Sequence, residues 1–103
     1  MLPLTLKTWR DVQAELAERT KKIRLINKLK QTTLAEMAGV SEASLKRFER
    51  TGEISLKSFL KLMQALGTLD QLDSVHVPPV PKELDALLEA ETAAFEIGKR
   101  GRK

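Results

Sequence analysis

The chain has 103 residues, no cysteine, one histidine and a net charge of +4, from 18 Lys and Arg against 14 Asp and Glu. That length suits one small domain with some extra length at its ends. The missing cysteines exclude a disulfide scaffold, a thiol nucleophile and a cysteine-ligated zinc, and the lone His76 excludes any site that needs two histidines. Residues 1–30 hold eight basic and three acidic side chains. Residues 31–74 are nearly balanced, 82–97 are acidic and 98–103 are basic. No apolar run reaches the roughly 18 residues of a membrane span and no secretory signal opens the chain, so a soluble cytoplasmic protein is expected.

In chain order, Leu2, Leu4 and Leu6 form the one period-two run, either an arm that pairs with something or a frayed terminus. Thr8 with Asp11 reads as a capping box with Trp9 at the first helical position. Trp9, Val12, Leu16, Ile23, Ile26 and Leu29 then recur at helical spacing to about residue 29, as one long helix or two broken near Arg19 and Thr20. A short helix carries Leu34 to Ala38 and stops at Gly39; Ser41 caps the next, which stops at Gly52. Ser55 caps a helix whose Leu56, Phe59, Leu60, Met63 and Leu66 form an apolar stripe ending at Gly67. Thr68 with Gln71 suggests one more capping box, for a short helix with Leu69 and Leu72. Pro78, Pro79 and Pro81 cannot continue a helix, so a domain boundary is expected there, dividing residues 1–77 (core 20–75) from 78–103. Beyond it Leu84, Leu87, Leu88 and Phe95 mark a thinner amphipathic helix.

The stretch from Gln31 to Gly52 carries the functional information. It reads as two short helices joined by a turn that needs Gly39, with Val40 plugging the angle and Leu34, Met37, Leu45 and Phe48 facing inward. Glu42, Ala43, Ser44, Lys46, Arg47 and Arg50 then form the outward face of the second helix. A helix held this way can enter a DNA major groove.

These residues resemble the helix-turn-helix of the Xre/Cro family, which includes lambdoid phage repressors. The resemblance rests on Gln31, Leu34, Ala35, Met37 to Ser41, Leu45, Phe48 to Arg50 and Gly52, continued by Ser55, Leu56, Leu66 and Gly67. It covers about residues 20–72 and implies an all-α fold: a five-helix, lambda-repressor-like DNA-binding domain, here with a long N-terminal helix and a C-terminal helical extension. It further implies a two-fold dimer that represses transcription by occupying a palindromic double-stranded operator.

Carried over residue by residue, the resemblance places Gln31 against the DNA backbone and as a brace for the recognition helix, residues 41–50. The DNA-facing set becomes Gln31, Thr32, Thr33, Ser41, Glu42, Ala43, Ser44, Lys46, Arg47 and Arg50. Arg47 is a candidate to grip a guanine, Lys46 a phosphate, and Glu42 a cytosine amine. Arg24 and Glu49 match the family's internal ion pair, a structural role. Lys30 departs from the family's usual capping Thr, so either Thr32 or Thr33 (with Glu36) caps the helix instead or its start is remodelled.

Outside the motif, Lys21, Lys22, Lys28 and Lys30 either add phosphate contacts or form a solvated helix face. Leu69, Leu72, Val75 and Val77 suit a dimer interface, the competing reading being packing against the preceding helix. The acidic helix over 82–97 either docks a partner protein or packs back on its own domain or dimer mate. The basic tail is either a phosphate contact or a solubilising end. The layout is similar to HipB-type antitoxins, which implies autoregulation of a toxin–antitoxin operon and a HipA-like kinase toxin as partner. The alternative is a protein-interaction module with little DNA binding. No metal-ligand cluster, phosphate loop or nucleophile–base pair is visible, so neither an enzyme nor a cofactor is expected.

Overall fold

A reciprocal pair of hydrogen bonds starts the first helix: the Asp11 N–H donates to Thr8 Oγ1 at 3.2 Å and the Thr8 N–H donates to the Asp11 carboxylate at 3.0 Å. The Thr8 backbone bond, with the Thr8 hydroxyl, holds the Asp11 carboxyl below its ordinary value. The computed structural model describes residues 7–79 and 82–100, with side chains of the last helix through Ala93. Leu2, Leu4 and Leu6, Val80, Pro81, the Phe95 side chain and the side chains of the basic tail lie outside the described residues.

The α-helices are α1 (Trp9–Ile26), α2 (Gln31–Ala38), α3 (Glu42–Thr51), α4 (Leu56–Leu66) and α5 (Lys82–Arg100), with a 3-10 helix at Leu69–Ser74 between α4 and α5. The fold is all-α. Contacts divide the chain into one unit ending at Leu72 and a second beginning at Asp73. In the first, α2 packs on α3 and α4, and α1 packs on α3 and α4. Phe48, Leu34, Leu45 and Leu62 are fully buried at the centre, joined by Ala17 and Ala35. Phe59 presents its ring to Phe48 edge to face at 5.7 Å. The second unit holds α5, whose Leu84, Leu87 and Leu88 are exposed.

α1 runs unbroken through Arg19 and Thr20, because the Thr20 hydroxyl donates back to the Leu16 carbonyl at 2.7 Å and is satisfied within the helix. It stops at Ile26 and does not reach residue 29. Lys28 adopts φ 57°, and the Lys28 and Leu29 N–H groups return to the Leu25 and Arg24 carbonyls at 2.9 and 3.1 Å. This is the glycine-type helix stop built on a lysine, at a cost of about 1–2 kcal/mol. The buried face of α1 is Ala17, Thr20 and Arg24. Trp9 (64% exposed), Val12 and Ile26 are on the surface, which corrects the apolar stripe read through them. Small side chains at 17 and 20 suit the face on which α3 packs.

Three further sequence expectations change. Met37 is 54% exposed, because Leu34, Ala35 and Ala38 take the inward face of α2 and Met37 points about 100° from its centre. Leu56 is exposed at the first position of α4, whose inward stripe is Phe59, Leu62, Met63 and Leu66. Neither Thr32 nor Thr33 caps α2: it starts at Gln31 after an extended Lys30, with no side-chain cap. Ser41 and Ser55 do cap, accepting from Ser44 and Ser58 N–H at 3.0 and 3.1 Å. Gly39, Gly52 and Gly67 each close a helix at positive φ. Thr68 turns its hydroxyl back to the Met63 carbonyl, and the segment after it is 3-10, not α.

Arg24 and Glu49 are almost wholly buried and meet side by side, Nε to Oε2 at 2.8 Å and Nη2 to Oε1 at 3.0 Å. Arg24 Nη1 also donates to the Leu29 carbonyl at 2.8 Å, and Gln31 Nε2 donates to Glu49 Oε1 at 3.1 Å. Arg24→Ala leaves the carboxylate buried without its cation, and chemical denaturation is expected to show a loss of about 3–5 kcal/mol. The double replacement Arg24→Leu with Glu49→Leu is expected to recover most of it.

Candidate nucleic-acid interface

The glycine turn at Gly39, with φ 71°, ends α2, and the Ser41 cap starts α3 two residues later. The chain therefore passes from α2 to α3 through three residues, and Val40 is half-buried against the core in the turn. Leu45 and Phe48 pin α3 from inside, and Glu49 pins it through Arg24 and Gln31. What remains outward on α3 is Ala43, Lys46, Arg47 and Arg50, all exposed, with Glu42 and Ser44 half-exposed. Thr32 and Thr33 are exposed on the first turn of α2, and Ser41 in the turn. Of the candidate DNA-facing residues, Thr32 and Glu42 meet across the two helices, while Gln31 commits its amide to Glu49.

This surface is paired with itself. Glu42 accepts from Lys46 Nζ at 3.1 Å and from the Thr32 hydroxyl at 3.3 Å, tying α3 to α2. Arg47 Nη2 pairs with Glu53 beyond the end of the helix. Arg50 makes no ion pair among the described residues, nor do Lys21, Lys22, Lys28 and Lys30. The hydrogen bond and charge of Lys46 hold the Glu42 carboxyl below the ordinary glutamate value, with a smaller contribution from Thr32.

Sequence reasoning missed Glu53 and the cleft it shares with Arg47. That cleft, about 450 Å³, is also lined by Gln13, Ser44, Ile54, Ser55 and Ser58. Glu53 lies six residues beyond Arg47, past a glycine stop, so no helical spacing rule links the two. The exposed Trp9, with the Arg10 guanidinium 4.5 Å above its ring, stands near Gln13, Thr51 and Glu53. No group of acidic or histidine side chains among the described residues can hold a metal ion, and no helix among them is long and apolar enough to cross a membrane.

A four-helix unit with a glycine-turned helix pair and a cationic outward helix defines a helix-turn-helix protein. Residues 21–72, half of the chain, match the helix-turn-helix family of Xre/Cro type, and the chain belongs to that family. It is accordingly a DNA-binding transcription regulator, of a family that is generally non-enzymatic. No curated protein and no solved structure gives a significant match.

Because Lys46 lowers the Glu42 carboxyl, the Thr32–Glu42–Lys46 link is intact at neutral pH and is lost only as pH falls below the ordinary glutamate range, through the lowered value. Lys46→Ala is expected to move the Glu42 carboxyl back up toward its ordinary value. A carboxyl-carbon NMR titration checks this; an unmoved midpoint would show that the pair does not form.

Proposed function

We propose that the protein is a homodimeric repressor that lays α3 in the major groove of a palindromic operator and so blocks a promoter. The observation that carries this reading is the outward face of α3, with Lys46, Arg47 and Arg50 exposed on a helix locked from behind by the Arg24–Glu49 pair. Arg47 is assigned to a guanine edge, a bidentate contact worth about 1–3 kcal/mol of discrimination. Lys46 and Arg50 are assigned to phosphates. Glu42 and Ala43 sit at the base-facing start of the helix, and Ser41 and Ser44 flank it. Thr32, Thr33 and the N–H groups of the uncapped first turn of α2 face the backbone, since such a turn favours an anion. Gln31 acts as the brace its bond to Glu49 supports.

Residues 1–77 form the DNA-binding portion in this reading, and 78–103 an appendage. Leu69 and Leu72 supply the dimer contact from the end of the first unit, and Val75 and Val77, both 58% exposed, add apolar surface beyond it. The resemblance to HipB-type antitoxins supports a finer reading: autoregulation of a toxin–antitoxin operon, with a HipA-like kinase bound in addition to DNA. The exposed Leu84, Leu87 and Leu88 on an acidic helix are the surface that favours a protein partner.

Selection of a randomised duplex library at two salt concentrations is expected to return a two-fold motif with half-sites about one helical turn apart. With that operator, Arg47→Ala is expected to relax base preference at one position per half-site at a cost of about 1–3 kcal/mol. Lys46→Ala is expected to weaken binding to all sequences and to reduce the slope of log affinity against log salt by about 0.9 per subunit. Unchanged affinity and preference in Arg47→Ala removes the recognition assignment. Leu72→Asp is expected to shift the protein to monomer in sedimentation and to abolish binding to the full palindrome at concentrations that saturate the wild type. A fully dimeric Leu72→Asp protein removes the interface.

A further inference from the structure

We infer that Glu53 is a specificity-determining residue: it holds Arg47 in the unbound protein, so that Arg47 leaves it for a base edge but not for an ordinary phosphate. The inference rests on the DNA-binding reading above.

Three observations place Glu53 for this role. It forms the ion pair with Arg47, the two side chains 56% and 60% exposed. Its backbone is fixed, because the Glu53 N–H donates to the Thr51 hydroxyl at 3.1 Å and that hydroxyl donates to the Arg47 carbonyl at 2.8 Å. The turn between them is fixed in its turn. Gly52 is buried at φ 81°, and a Cβ there would lie 3.1 Å from the Gln13 backbone, so α1 seals the bend that returns Glu53 beside Arg47.

Energetics then separate the two competitors. An exposed ion pair shifts an equilibrium by at most about five-fold, while a bidentate guanine contact discriminates by about five- to 150-fold. A single phosphate offers Arg47 little more than the carboxylate it already has, and releasing Glu53 beside a polyanion adds repulsion. A guanine O6 and N7 pair exceeds that threshold. With Glu42 holding Lys46 in the same way, the cations of α3 exert less sequence-independent attraction than their number suggests.

Glu53→Gln frees Arg47 without touching α3 or the core. The test measures binding of full-length wild type, Glu53→Gln, Arg47→Ala and the double variant to the selected operator and to a scrambled duplex, across salt. Expected are about three- to five-fold tighter binding of Glu53→Gln to scrambled DNA, a steeper salt slope there, and a smaller gain on the operator, so that selectivity falls. In the Arg47→Ala background the same change is expected to shift scrambled binding by less than two-fold, because Glu53 acts through Arg47. Weaker operator binding by Glu53→Gln would show that Glu53 buttresses the bound arginine, and overturns the inference. So does an equal gain with and without Arg47, which would be general charge repulsion. If the wild type binds no duplex, the DNA-binding reading falls and this inference with it; if it binds and Glu53→Gln matches it, only this inference falls.

Discussion

The buried pair between Arg24 and Glu49 joins three helices through one carboxylate. Arg24 comes from the last turn of α1, Glu49 from the last turn of α3, and Gln31 from the first position of α2. Removing two such charges from water costs several kcal/mol per ion, and their attraction repays it only when geometry and remaining hydrogen bonds are good. Here both carboxylate oxygens and all three guanidinium nitrogens have partners, and no buried side-chain polar atom among the described residues lacks one. Apolar packing of Leu45 and Phe48 would tolerate a small rotation of α3. Two parallel hydrogen bonds to a planar guanidinium would not. The pair therefore fixes which residues of α3 point outward.

The same arginine also sets where α1 ends. Its Nη1 holds the Leu29 carbonyl, one residue past the lysine at positive φ. The strained Lys28 turn and the orientation of α3 are consequently two ends of one hydrogen-bonded group. A core this small, with four fully buried large side chains, gains much of its definition from such polar constraints and from helix stops at Gly39, Gly52 and Gly67. At Gly52 the requirement is doubled, since both its φ and the closeness of Gln13 exclude a side chain.

Much of this was legible in the sequence where a local rule governs. The capping box at Thr8, the caps at Ser41 and Ser55 and the glycine stops depend on residues a few positions apart, and they stand where the pattern puts them. Hydrophobic periodicity did not show the inward face of α1, because Thr20 and Arg24 are polar and become core residues only through a carbonyl and a carboxylate supplied by the fold; the family resemblance alone pointed to Arg24 with Glu49. Met37 and Leu56 misled in the opposite direction: both are apolar at plausible spacing, yet the phase of each helix is set by its neighbours. In the interface, the residue types on α3 were readable from its period. The pairing of Arg47 with Glu53 was not, because the turn at Gly52 joins them in space at a separation no helix provides.

Lys30 is where local stability and the proposed contact with DNA oppose each other. A Ser, Thr, Asp or Asn at this N-cap would satisfy an orphan amide and add about 1 kcal/mol. Lysine cannot accept, and α2 begins with no side chain over its first turn. At α1, α3 and α4 the same chain supplies Thr8, Ser41 and Ser55 as caps, so among these four helices the omission is specific to α2. In the proposed DNA-bound state a phosphate at this first turn would satisfy the amides that no side chain caps. Helix α2 also carries the Gly39 turn into α3 and gives Glu42 its Thr32 bond. An anion ordered at its start would therefore act on the same element that orients the recognition helix, and binding would supply the rigidity that the missing cap leaves out.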